Sequence, residues 1–266
     1  MGSLEQLSQH LLPAVLVISR IGGLCLHGPV LSSPAIPMQI KAFLVIALGL
    51  SCYPAIAAGT TFPPDGGLLL ATAFIAGELL MGAVIGFLAG APIMAMQFGG
   101  VFMGQQMGLG FARFYNPAID EESDAVEQIL FFLALAVFIS IGGLEAMFGA
   151  LLSSFATVPP GSVFALLMPG DGGSLPELAI GTLSIALELG LRVSAPLFAI
   201  VFLETVAMGF LSRSVPQLNV MSVGFPVRLA IGCLAILGGL VSIHEALLSG
   251  SDAALARLFA VGGAHG

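Results

Sequence analysis

The sequence predicts an all-α integral membrane protein of about six long apolar helices, some of them kinked. Three observations carry this reading. Charged residues make up only 8% of the chain and hydrophobic residues 58%, with a mean hydropathy of +1.07, whereas soluble domains carry about 25% charged residues. Apolar stretches recur, each reaching the ~20 residues that a helix needs to cross a bilayer. The breaks between them fall where turn formers cluster.

The first stretch, roughly 11–31, ends at "GPVLSSPAIP". Its start is not that of a cleaved signal, since no basic residue precedes it and Arg20 interrupts it. The second, 38–58, ends at "TTFPPDGG", and the third, 68–98, contains Pro92. The fourth, 126–152, precedes "VPPGSVFALLMPGDGGSLPE". The fifth, 177–212, contains Pro196 and ends at "SRSVPQLN"; the sixth is 223–248. The third and fifth exceed one span, and their prolines predict a kink or a split. Trp is absent and Tyr numbers two, while Phe numbers 19. Aromatic belts at lipid headgroups usually include Trp, so this balance favours apolar surface that packs on protein. The net charge of −8 argues against nucleic acid as a partner.

The few basic residues set an orientation. Lys41, Arg113, Arg213 and Arg228 lie in or beside the first, third and fifth connections. The positive-inside rule then puts those connections in the cytoplasm and both termini outside; Arg257 runs against it.

Small residues and buried charge supply the next candidates. Gly82, Gly86 and Gly90 lie four apart, as do Gly100, Gly104 and Gly108. On a helix each set forms a strip where another backbone can approach closely; chance spacing among 35 glycines is the plainer alternative. Within the spans stand Arg20, Glu78, Glu145, Glu188, Arg192 and Glu204. Glu188 and Arg192 form a self-neutralising i,i+4 pair. Arg20, Glu78 and Glu204 lack a partner nearby in sequence, so they pair between helices or with another subunit; a proton relay through Glu78 or Glu204 is the functional alternative. Cys25, Cys52 and Cys233 are far apart and set in apolar runs, which suits small buried hydrophobes better than ligands. The four histidines are dispersed, and no nucleophile elbow, zinc motif or phosphate loop occurs. No cofactor, metal or enzyme activity is expected. A subunit of a membrane conduit, a secondary transporter and an intramembrane enzyme remain; related halves would mark the second and paired catalytic side chains at membrane depth the third.

One stretch breaks the pattern. "MGLGFARFYNPAIDEESDAVEQ", 107–128, holds six charged residues, Arg113, Asp120, Glu121, Glu122, Asp124 and Glu127, behind two glycines and three aromatic rings. Its acidic half suits a helix N-terminus.

Several motifs resemble the FliR/SctT family of type III export-gate membrane proteins. They are "SRIGGLCLHGPVLSSPAIPMQIKAFLVIALGL" (19–50), "GELLMGAVIGF" (77–87), "QFGGVFMGQQMGLGFARFYNP" (97–117), "SSFATVPPG" (153–161) and, most specific, "FLSRSVPQLNVMSVGFPVRLAIG" (210–232). The resemblance spans nearly the whole chain, with two departures: Asn116 where the pattern favours Asp, and a heavier acidic run at 120–124. It implies a non-enzymatic subunit that joins FliP-like and FliQ-like proteins in a closed channel for unfolded flagellar substrates, with FlhB-like and FlhA-like proteins on the cytoplasmic side. It implies a FliP-like part over 1–170 and a FliQ-like helical hairpin with tail over 171–266, in the bacterial inner membrane at the flagellar basal body. The virulence secretion homologue is the alternative. It further implies that Met107, Gly108, Leu109, Gly110, Phe111, Arg113, Phe114 and Tyr115 form a pore plug. Glycines let such a loop turn, rings fill a narrow lumen, and Met repacks softly. The Arg213, Pro216, Gln217, Asn219, Pro226 and Arg228 connection would form a tight turn at the cytoplasmic mouth. A plug rooted on the cytoplasmic side has to reach well up the lumen.

Overall fold

The computed structural model describes residues 2–57, 68–109, 125–163, 175–214 and 220–263. Among these residues the chain forms seven α-helices and no strand: α1 (Gly2–His27), α2 (Met38–Ala57), α3 (Leu68–Met107), α4 (Ala125–Ser140), α5 (Gly143–Thr157), α6 (Leu175–Ser214) and α7 (Val220–Gly263). Backbone groups in lipid must bond within their own segment, and a helix does this with local contacts alone. Four helices, α2, α3, α6 and α7, are long and apolar enough to cross a membrane among the described residues. A fifth span arises if α4 and α5 are read together. The apolar part of α1, Leu11–His27, is shorter.

Two expectations change. The fourth apolar stretch is broken: Gly142 takes φ 76 and ψ 25, and α4 and α5 meet there at 65°. A residue with a Cβ resists that left-handed conformation, so the Gly-Gly pair 142–143 sets the place of the bend. In contrast, Pro92 and Pro196 split nothing, because α3 and α6 each run 40 residues through them. Pro13, Pro54 and Pro226 also lie inside helices. Pro13 and Pro92 are buried while Pro54, Pro196 and Pro226 are exposed, and in an apolar setting the backbone has no better bonding scheme than a helix lacking one N–H.

The chain divides into two compact units, each made from separated stretches: Met1–Ala91, Ile139–Leu183 and Asp252–Gly266 in one, Pro92–Phe138 and Ser184–Ser251 in the other. In the first, Leu16, Val17, Ile21 and Leu24 of α1 are buried, as are Met81 and Ile85 of α3 and Met147 and Leu151 of α5. In the second, Met96, Met103 and Met107 of α3, Leu130 of α4, Leu197 and Val201 of α6, and Leu247 of α7 are buried. The span of α3 is 67% buried, against 6% for α2 and 11% for α7. Helices α2, α6 and α7 therefore keep large apolar side chains exposed, including Phe43, Phe202, Leu234 and Val241. Such faces suit lipid or other subunits.

Candidate functional site

In the first unit the strongest feature starts from three glycines, Gly23, Gly82 and Gly86. A Cβ at Gly82 would collide with the carbonyl oxygen of Arg20, and one at Gly23 with that of Leu79. A Cβ at Gly86 would stand 2.7 Å from the amide nitrogen of Gly28. Helices α1 and α3 thus touch backbone to backbone, which only glycine allows. Gly90 adds an ordinary contact, 3.8 Å from Pro29. The crossing also sets the charges. Glu78 lies one turn before Gly82 on the same face of α3, where Arg20 of α1 reaches it.

Arg20 and Glu78 are both fully buried, with Arg20 Nε donating to Glu78 Oε2 at 2.6 Å. Arg20 Nη1 donates to the Ser154 carbonyl at 3.0 Å and the Ser154 hydroxyl at 3.1 Å. Arg20 Nη2 donates to the Val158 carbonyl at 3.0 Å, and the guanidinium carbon lies 4.3 Å from the centre of the Phe155 ring. The other Glu78 oxygen accepts the Gly161 N–H at 2.8 Å. Every guanidinium nitrogen and both carboxylate oxygens therefore have partners. Arg20 thereby ties down the end of α5, adding a donor to the Ser154 carbonyl, which also accepts the Val158 N–H, and satisfying the carbonyl of the C-cap residue Val158. Charges in a dry interior persist only when paired in this way. Sequence reasoning missed Ser154, Phe155, Val158 and Gly161 as members of this cluster, although they lie in the quoted "SSFATVPPG".

The second unit holds a related pair. Arg228 Nε donates to Glu204 Oε2 at 3.2 Å, with the Glu204 side chain only 4% exposed and that of Arg228 32%. Arg228 Nη2 donates to Thr205 Oγ1 at 2.9 Å. Arg20, Glu78 and Glu204 are thus all paired between helices of this chain, the first of the two alternatives that their sequence positions left open. Arg228 and Pro226 lie in α7 and not in a turn; that helix has already begun at Val220. Arg213 stands exposed in the last turn of α6, near the negative end of its dipole. Pro216, Gln217 and Asn219 lie outside the described residues.

At the end of α3, Gly108 has φ 83. Its N–H donates to the Gln105 carbonyl at 3.1 Å and the Leu109 N–H to the Gly104 carbonyl at 3.1 Å. This is the Schellman pattern, in which a left-handed glycine ends the helix. Gly108 therefore stands outside the helix, and the second glycine strip ends at Gly104. Within that strip, a Cβ at Gly100 would be 2.5 Å from the Cα of Glu127, so α4 packs there. Met107 is buried, its side chain set against Gly232 of α7. These residues anchor the loop that follows. Gly110, Phe111, Arg113, Phe114 and Tyr115, with the acidic run, lie outside the described residues.

Long apolar helices, exposed apolar faces and charges neutralised inside the fold define a multi-pass integral membrane protein. The sequence matches the family "Bacterial export proteins, family 1" over residues 11–252, and the chain belongs to that family. It is 28% identical to the flagellar biosynthetic protein FliR of Escherichia coli (strain K12) over 213 residues, covering 80% of this chain and 78% of that protein. It is 27% identical to FliR of Bacillus subtilis (strain 168) over 229 residues, 85% of this chain and 86% of the relative. To the Yop proteins translocation protein T of Yersinia pestis it is 26% identical over 233 residues, 87% of each chain.

Proposed function

We propose that this chain is the FliR-type subunit of a flagellar type III export gate, a non-enzymatic component of the bacterial inner membrane at the basal body. The family match over 11–252 is the observation that carries this reading. In it, a FliP-like part (1–170) and a FliQ-like hairpin with tail (171–266) join FliP-like and FliQ-like subunits around a path for unfolded flagellar proteins. FlhB-like and FlhA-like proteins stand at the cytoplasmic side. The exposed apolar faces of α2, α6 and α7 supply surface for such neighbours. The stretch from Met107 to Tyr115 plugs the path, with buried Met107 and the Gly108 cap at its root. Arg213, Gln217 and Asn219 stand near the cytoplasmic mouth.

Copurification tests the assembly: the chain should leave the membrane together with FliP-like and FliQ-like proteins. A monodisperse monomer that ignores both would refute the reading. Similarity to the Yop translocation protein over 87% of the chain favours a virulence secretion apparatus as the second reading. Loss of filaments on deleting the gene separates the two.

A further inference from the structure

The second unit contains a cavity of about 270 Å³ between α3, α6 and α7. Met103, Val193, Leu197 and Ile243 line it with apolar surface, and among the described residues Arg192 is its one charged wall. Its α7 side runs from Ala235 to Ser249, about 21 Å at 1.5 Å per residue. The space is long and narrow, too small for a helix of about 10 Å diameter.

Gly239 forms part of the wall. A Cβ there would meet nothing within 4 Å, so no close backbone contact requires glycine at this point. That distinguishes it from Gly190, whose Cβ would stand 2.8 Å from the Ala95 carbonyl oxygen. Glycine inside a helix is unfavourable relative to alanine, and what its absent side chain leaves here is room.

The polar end is equally defined. Leu189 reaches Gly250 and Glu204 bonds Arg228, so α6 and α7 run antiparallel and Arg192 lies toward the Ser249 end. Arg192 Nη2 holds Glu188 Oε1 at 2.7 Å, and both side chains are well exposed. Arg192 and Arg213 bracket a stretch of α6 whose single charge, Glu204, is buried and paired. The two arginines are separated by about 31 Å of helix, close to the thickness of a hydrocarbon core. With Arg213 at one boundary, the Glu188–Arg192 pair, read from the sequence as lying within a span, falls at headgroup level on the other, and the apolar cavity leads away from it.

We propose that this cavity binds one acyl chain of a zwitterionic phospholipid, whose phosphate meets Arg192 and whose ammonium meets Glu188. The length and slenderness of the cavity fit a single hydrocarbon chain, and the adjacent opposite charges complement a headgroup that carries both signs. The site asks only that the chain be embedded in a membrane, so it stands apart from the export reading.

The test uses the full chain in vesicles containing phosphatidylethanolamine with a photoreactive acyl chain, and phosphatidylglycerol with the same chain in parallel. Labelled peptides should map to 189–197 and 235–249, with phosphatidylethanolamine preferred. The Gly239→Leu variant should lower that labelling by about tenfold, since a side chain now occupies the ligand volume. Labelling of the exposed Phe202 and Leu203 face should stay unchanged, which reports an intact fold. If Gly239→Leu loses that control signal, Ala235→Leu replaces it. The double variant Glu188→Ala, Arg192→Ala should lose the headgroup preference. Uniform labelling that ignores Gly239→Leu would overturn the proposal. So would Gly239→Cys crosslinking to another protein subunit in intact cells while the lipid probe leaves the cavity unlabelled.

Discussion

Replacing Glu78 with Ala removes the partner of a cation that has no access to solvent. The Arg20 guanidinium keeps its bonds to the Ser154 and Val158 carbonyls and its place on the Phe155 ring, but among the described residues no other anion pairs with it. Breaking one side of a buried ion pair costs about 3–5 kcal/mol. The same change strips the part-buried Gly161 N–H of its acceptor, which costs at most the lower end of the ~1–3 kcal/mol of an orphaned buried donor. These penalties overlap, since the site relaxes once. A loss of about 4 kcal/mol corresponds to roughly a thousandfold shift toward unfolded or degraded chain. The informative companion is Arg20→Met with Glu78→Leu. Apolar side chains of similar volume often replace a buried ion pair with little loss, so the double variant keeps mainly the cost of Gly161 and the α5 carbonyls. The expected order of stability is wild type, then the double variant, then Glu78→Ala. Steady-state abundance in membranes and thermal aggregation in detergent should give the same order. A Glu78→Ala chain as stable as wild type would refute the claim that the pair holds α1, α3 and α5 together. A double variant no better than the single one would show that packing at the glycine crossing, and not charge, dominates.

Gly82→Val should destabilise the chain by about 1–3 kcal/mol or more through overpacking, because its Cβ meets the Arg20 backbone, while Gly149→Ala should be silent, since nothing lies within 4 Å; thermal aggregation distinguishes them. Arg228→Ala leaves Glu204 buried without its cation and should cost about 1–2 kcal/mol, less than a fully buried charged hydrogen bond because Arg228 is a third exposed, with Arg228→Lys partly restoring stability in the same assay. Gly108→Ala should cost about 1 kcal/mol through its left-handed backbone, read as easier proteolysis after Met107. Phe111→Ala with Phe114→Ala should raise ion conductance of the assembled channel without impairing assembly; unchanged conductance would mean that these rings are ordinary packing.

The long helices were legible because hydropathy and length alone decide them, and the turn formers at 28–37 and 60–67 marked their ends. The bend at Gly142 was hidden inside a continuous apolar stretch, where a Gly-Gly pair reads the same in a straight helix as in a broken one. The charged candidates Arg20, Glu78 and Glu204 were legible as residues but their partners were not. Arg20 meets Glu78 across 58 positions and Val158 across 138, and no local spacing encodes such contacts. Gly82 and Gly86 were legible as a strip, yet the partner is this chain's own α1, a fact that depends on tertiary folding. Pro216 and Pro226 suggest a turn that reaches Arg228, whereas the helix from Val220 continues through the second proline.

The wide separation of the Arg20 cluster has a consequence for synthesis. The ribosome adds about 5–20 residues per second, so Glu78 emerges about 3–12 s after Arg20, given the 58 positions between them. Val158 follows Arg20 by 138 positions, or about 7–28 s at that rate. Throughout that interval α1 carries a cation with no finished pocket to receive it. The nascent helix must wait at the lipid boundary or within the insertion machinery, and it settles only after more than half of the polypeptide has been made. N-terminal fragments that stop short of Ser154 should consequently be cleared by membrane proteases, however apolar their sequences.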